Sequence, residues 1–172
     1  MKKIIVALTV LGLLLVPLYA VQAQTNGETV RISLYNSGPV YVNANNYIVL
    51  HHGWMACTKG LVKAYQGAVY TETYINDDLI VLSEDEYNQY WMPINHYEGD
   101  LVQYCIAGNQ RTASFVYWEY PLGTLTTGEY EIHFEIGFDH PFIDGGDLDG
   151  DGRIDKYDGF WTERTFTIYV SE

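Results

Sequence analysis

Apolar and polar residues alternate with a period of two through most of this chain, the pattern of strands buried on one face. Val30, Ile32 and Leu34 alternate with Arg31 and Ser33 between Glu28 and Tyr35, and Tyr47 to Trp54 is rich in β-formers. Val69 to Ile75, Ser114 to Tyr120, Tyr130 to Phe138 and Thr165 to Val170 continue the pattern. Turns bearing Gly, Asn or Pro separate them, such as Asn36-Ser-Gly-Pro39 and Asn76-Asp-Asp78. Many short strands between such turns predict an all-β sandwich of antiparallel sheets.

Two segments break the period. Thr58 to Gln66 reads as a short helix capped by Thr58, with Leu61, Val62 and Tyr65 on one side. Ser83-Glu-Asp-Glu86 is a capping box opening about two helical turns toward Trp91, before Pro93. Both are expected as surface insertions.

Residues 1–23 change the picture of compartment. Lys2-Lys3, the apolar run Ile4 to Leu18 and the small-residue end at Ala23 form a secretory signal peptide, with an uncleaved anchor as the alternative. Residues 24–172 then form a single domain, secreted or extracytoplasmic and either free or associated with the cell surface. No later run is apolar for long enough to span a bilayer. Export makes a disulfide between Cys57 and Cys105, the only cysteines, the expected state, with two buried free thiols as the alternative. Closing that loop of about 48 residues contributes on the order of 4 kcal/mol in the chain-entropy model.

The full chain carries a formal charge of −13, and loss of Lys2 and Lys3 with the leader leaves 7 basic against 22 acidic residues. Such a surface repels nucleic acid and anionic membranes, so neither is an expected partner. The acidic excess peaks at Asp147-Leu-Asp-Gly-Asp-Gly-Arg-Ile-Asp-Lys-Tyr-Asp158. Asp147, Asp149, Asp151, Asp155 and Asp158 occupy positions 1, 3, 5, 9 and 12 of a twelve-residue loop, the spacing with which oxygen ligands wrap a calcium ion. Gly152 falls at position 6, where the chain must turn sharply, and Arg153 at position 7 offers its backbone carbonyl.

These twelve residues resemble EF-hand loops and, more closely, the D-x-D-G-D-G-x-I-D-x-x-D loops of dockerin modules. The resemblance implies Ca2+ as the cofactor, held by Asp147, Asp149, Asp151, the Arg153 carbonyl, Asp155 and Asp158. Its flanks depart from those families. Phe138-Asp-His-Pro-Phe-Ile-Asp-Gly-Gly146 and the strand after Gly159 are not helical, so the loop is expected to join two strands.

Leu125-Thr-Thr-Gly-Glu-Tyr130, followed by Ile132, Phe134 and Ile136, resembles the tyrosine corner of immunoglobulin-like domains, where the phenol bonds back to the backbone. The resemblance implies an immunoglobulin-like sandwich with Tyr130 to Phe138 as its penultimate strand and the calcium loop in the last hairpin. Cys105 precedes this corner, so the cysteines do not match the antibody pattern.

No catalytic constellation accompanies these features. The chain lacks a Gly-x-Ser-x-Gly turn, a phosphate-binding glycine loop and a His-Glu-x-x-His helix. His51 and His52 are adjacent and face opposite sides of a strand, while His96, His133 and His140 are scattered. The reading is a non-enzymatic calcium-binding module with a binding or structural role toward an extracellular protein or glycan. A hydrolase inhibitor is the alternative, as is a carbohydrate-binding module using Tyr90-Trp91 and Tyr117-Trp118-Glu119-Tyr120.

Overall fold

The computed structural model describes residues 27–80, 84–107 and 113–172. The expected signal peptide over residues 1–23 and the expected capping residue Ser83 lie outside them. No helix among the described residues is long and apolar enough to cross a membrane.

Among the described residues, nine strands and two α-helices follow in the order β1 (Thr29–Ser33), β2 (Val40–Asn43), β3 (Tyr47–Ala56), α1 (Lys59–Ala68), β4 (Val69–Ile75), β5 (Asp78–Leu79), α2 (Glu84–Gln89), β6 (Asn95–Tyr97), β7 (Ala113–Gly123), β8 (Gly128–Ile143) and β9 (Lys156–Ser171), with a 3₁₀ turn at Asp100–Tyr104. One sheet has the order β1-β3-β7-β6 and the other β2-β9-β8-β4-β5. The inward residues of both form one core, in which Ile32, Leu50, Val116 and Trp118 meet Val40, Ile132, Phe134, Ile136, Phe166 and Ile168.

The all-β class follows the alternation, but the sheets are mixed and not purely antiparallel. β1 runs parallel to β3, and β2 runs parallel to β9. The cause lies in the turn between β1 and β2, where the Asn36 side chain accepts the N–H groups of Ser37 and Gly38 and donates to the Gly38 carbonyl. The N-terminal segment thus starts on one sheet and finishes on the other. The short β2, β5 and β6 carry too few residues to show a period.

α1 is not a surface insertion. Thr58 caps it, its hydroxyl accepting the Leu61 N–H at 3.2 Å, and the helix buries Val62, Tyr65 and Ala68 completely. Residues spaced by three or four share one face of a helix, and that face closes the core against β3 and β8. α2 likewise sends Tyr87 inward, its hydroxyl 3.1 Å from Nε2 of His52.

Tyr130 makes the corner bond anticipated for it, donating its hydroxyl to the Thr126 carbonyl at 3.0 Å, with the Thr126 hydroxyl 2.8 Å away. Between β4 and β5, Asn76 and Asp77 both adopt positive φ, as the favoured two-residue hairpin turn requires.

Candidate metal centre

The aspartate loop closes the hairpin between β8 and β9, the two longest strands, which pair from Gly128↔Val170 to Ile143↔Lys156. Its foot, Asp144 to Gly146, is buried. Asp144 accepts the Gly146 N–H on Oδ1 at 2.8 Å, and its carbonyl accepts the Cys57 N–H, also at 2.8 Å. Gly145 has φ of +85°, and a Cβ there would lie 2.9 Å from the Cys57 Cβ, so only glycine fits. Cys57 and Cys105 form the expected disulfide, with Cα atoms 5.4 Å apart.

From this foot the chain folds back on its own carboxylates. Asp147 Oδ2 accepts the Gly152 N–H at 3.0 Å, Asp149 Oδ1 that of Asp151 at 3.0 Å, Asp151 Oδ1 that of Arg153 at 2.8 Å, and Asp155 Oδ2 that of Leu148 at 2.8 Å. Gly150 and Gly152 take φ of +75° and +83°, so the turn needed at loop position 6 is present. Each aspartate uses one oxygen on the backbone and keeps the other. One oxygen each from Asp147, Asp149 and Asp151 lies within 4.8 Å of the others. Oxygens bound to calcium at 2.3–2.6 Å stand no more than about 5 Å apart, so this spacing fits around one ion. Asp147 Oδ1 is moreover buried with no hydrogen-bond partner, a costly arrangement for a carboxylate without a cation.

The remaining sequence-derived ligands take different positions. Arg153 is exposed at the loop tip. Asp155 is tied back to Leu148, with its own N–H donating to the Gly146 carbonyl at 2.9 Å. Asp155 and Asp158 both lie outside the three-aspartate group, and Asp158 falls within β9, which begins at Lys156.

Sequence reasoning missed two groups beneath the loop. Asp144 is buried, and burial pushes its carboxyl above the usual range against the lowering effect of the Gly146 N–H. The Tyr157 hydroxyl is also buried, and burial, then the charge of Asp144, holds its ionisation far above the ordinary phenol range. Asp144-Gly-Gly146 is a recognisable Asx-turn sequence, whereas nothing in the sequence marks Tyr157.

The histidines form no second centre. His52 is enclosed, with Nδ1 3.2 Å from the Tyr65 hydroxyl and its ring stacked 5.2 Å from Trp118. His51 faces the other way, against Tyr117. Among the described residues, the only group of His, Cys, Asp and Glu with metal-holding spacing is the aspartate group. Trp118 is buried and packs against Tyr87, Tyr90 and Tyr120, so these rings serve the core more than a flat recognition face.

The chain matches no protein-family model, no curated protein and no solved structure.

Proposed function

We propose that this protein is a secreted or cell-surface, calcium-stabilised module of immunoglobulin-like sandwich type, whose role is binding or structural and not catalytic. The observations carrying the reading are the convergence of one oxygen each from Asp147, Asp149 and Asp151 within 4.8 Å and the burial of Asp147 Oδ1 without a hydrogen-bond partner. An all-oxygen donor set selects a hard cation, and the twelve-residue spacing favours calcium. Asp147, Asp149 and Asp151 would hold the ion, with the Arg153 carbonyl and Asp155 completing its shell and Asp158 at the margin.

The ion would act on a hairpin and not on a helix pair, so it would rigidify the loop without switching the fold. A binding role is supported by the loop tip, which exposes Leu148 and Ile154. An extracellular protein is the partner class that such a fixed apolar tip would suit. The test is calorimetric titration of the mature chain with calcium. Dissociation at roughly 0.1–1 mM is expected, the range of extracellular modules. Absence of binding at millimolar calcium would sink the reading.

A further inference from the structure

The foot of the aspartate loop lies between the two segments that the disulfide joins. On one side, Cys57 donates its N–H to the Asp144 carbonyl at 2.8 Å. On the other, Asp147 donates to the Tyr104 carbonyl at 2.8 Å, the Gly145 carbonyl accepts from Ile106 at 3.0 Å and Ala107 at 3.1 Å, and Gly146 bridges to Cys105. Asp144, Gly145 and Asp147 are therefore each bonded to one of the cysteines or to a residue within two of one, and Gly146 lies opposite Cys105. The apolar support is small, because Cys57 and Cys105 share a separate cluster with Val102 and Ala113, with Met55, Leu61 and Tyr97 at its edge. The covalent bond is what fixes the residues around Cys105 against the end of β3.

We propose that the Cys57–Cys105 disulfide sets the calcium affinity of the loop, and that calcium in turn protects this disulfide from reduction. The inference rests on the calcium reading above. Asp147 is the first ligand, and its backbone is held by Tyr104, one residue from Cys105. With the bond broken, the residues around Cys105 gain conformational freedom that ion binding must then remove, and affinity falls. Linkage between two equilibria is reciprocal, so the ion must oppose reduction by the same factor.

The chemistry is thiol–disulfide exchange with a dithiol. A thiolate of dithiothreitol attacks one cysteine sulfur, and the Cys57–Cys105 bond breaks. The second thiol of the reagent then closes its own ring and releases the protein. Two electrons and two protons pass to the cysteines, which become thiols, and the reagent leaves as a cyclic disulfide.

The test is calcium titration of the mature chain by calorimetry, oxidised and then reduced by dithiothreitol, with far-ultraviolet circular dichroism to check the sheets. About ten-fold weaker binding on reduction is expected, within the usual range of site-to-site coupling. Should the reduced chain unfold, the native chain is equilibrated in buffers of oxidised and reduced dithiothreitol with and without calcium. Saturating calcium should then lower its reduction potential by about 30 mV, the two-electron equivalent of ten-fold. Asp149→Ala, which leaves the disulfide and its neighbours intact, should abolish that shift. Equal affinities in both redox states, or a potential indifferent to calcium, overturn the linkage while leaving the calcium site standing. An oxidised chain that binds no calcium removes the site and the linkage together.

Discussion

His51 and His52 make this fold acid-sensitive, and the size of the effect can be worked out. Burial holds the His52 imidazole down to about 3, and the charge of His51 lowers it further. Burial likewise holds His51 down to about 4, with Glu119 opposing and Arg31 assisting. Both rings are neutral in the folded state at pH 5, whereas an unfolded chain protonates them below about 6.5. The unfolded state therefore binds more protons as pH falls. Stability is complete above pH 6.5 and declines until the folded-state values near 4 and 3 are reached. Each histidine loses about 1.36 kcal/mol per pH unit, so at pH 5.0 each has forfeited about 2 kcal/mol and the pair about 4. Domains are typically stable by about 5–15 kcal/mol, so this is a large share. Urea unfolding of the mature chain at pH 8.0, 6.5, 5.5 and 5.0, with chelator present throughout, measures it. His52→Gln keeps an amide between the Tyr65 and Tyr87 hydroxyls and should halve the slope. A wild-type stability that changes by less than about 1 kcal/mol between pH 7.5 and 5.0, or a variant that keeps the full slope, refutes the reasoning.

Calcium at ten times its dissociation constant should stabilise the chain by about 1.4 kcal/mol, a rise of roughly 3–6 °C in Tm that a chelator reverses. Asp147→Ala should abolish this shift, while Asp158→Ala, outside the three-aspartate group, should keep most of it; scanning calorimetry reads both. Tyr130→Phe removes the hydroxyl that bonds Thr126 and should cost about 1 kcal/mol in urea unfolding without altering the sheet signal. Tyr65→Ala empties a fully buried site and should cost about 3–5 kcal/mol, making α1 a structural part of the core; a loss under about 1 kcal/mol would contradict that placement.

The strands were legible where burial is one-sided. Ile132, Phe134 and Ile136 alternate with Glu131, His133 and Glu135, and β8 follows from that pattern. The parallel pairings were not, because nothing in Val40–Asn43 says which strand lies beside it; that depends on the crossing at Asn36 to Gly38. Thr58 announced α1, yet its depth was hidden, since a helix with Val62 and Tyr65 on one face reads the same whether it covers a core or only its rim. The aspartates were visible because calcium loops need fixed spacings, and Gly152 showed the positive φ its position required. Asp158 was named by its spacing with both flanks read as extended, and it lies in β9 as that reading anticipated.

The hairpin that carries the loop rests on an aromatic cluster. Trp54 lies within 4.9–5.8 Å, centroid to centroid, of Tyr65, Phe138, Phe142, Tyr157 and Trp161, so α1, β8 and β9 meet around one indole just below the aspartates. Ring pairs of this kind contribute roughly 0.5–1.5 kcal/mol each beyond their burial. Residues 144–146 are buried beside this cluster and tied by backbone bonds to Cys57 and to Ile106 and Ala107 beyond Cys105. Residues 147–155 are held instead by the loop's own backbone-to-carboxylate bonds and by two ties to its foot and to Tyr104. The free energy of an ion bound there would therefore go into ordering the tip and would leave the sheets unchanged. Leu148 and Ile154, 40% and 38% exposed, lie on that tip. If calcium binds as proposed, a partner docking on them would meet a surface whose ordering cost the ion had already met, so its affinity should follow calcium while the fold does not.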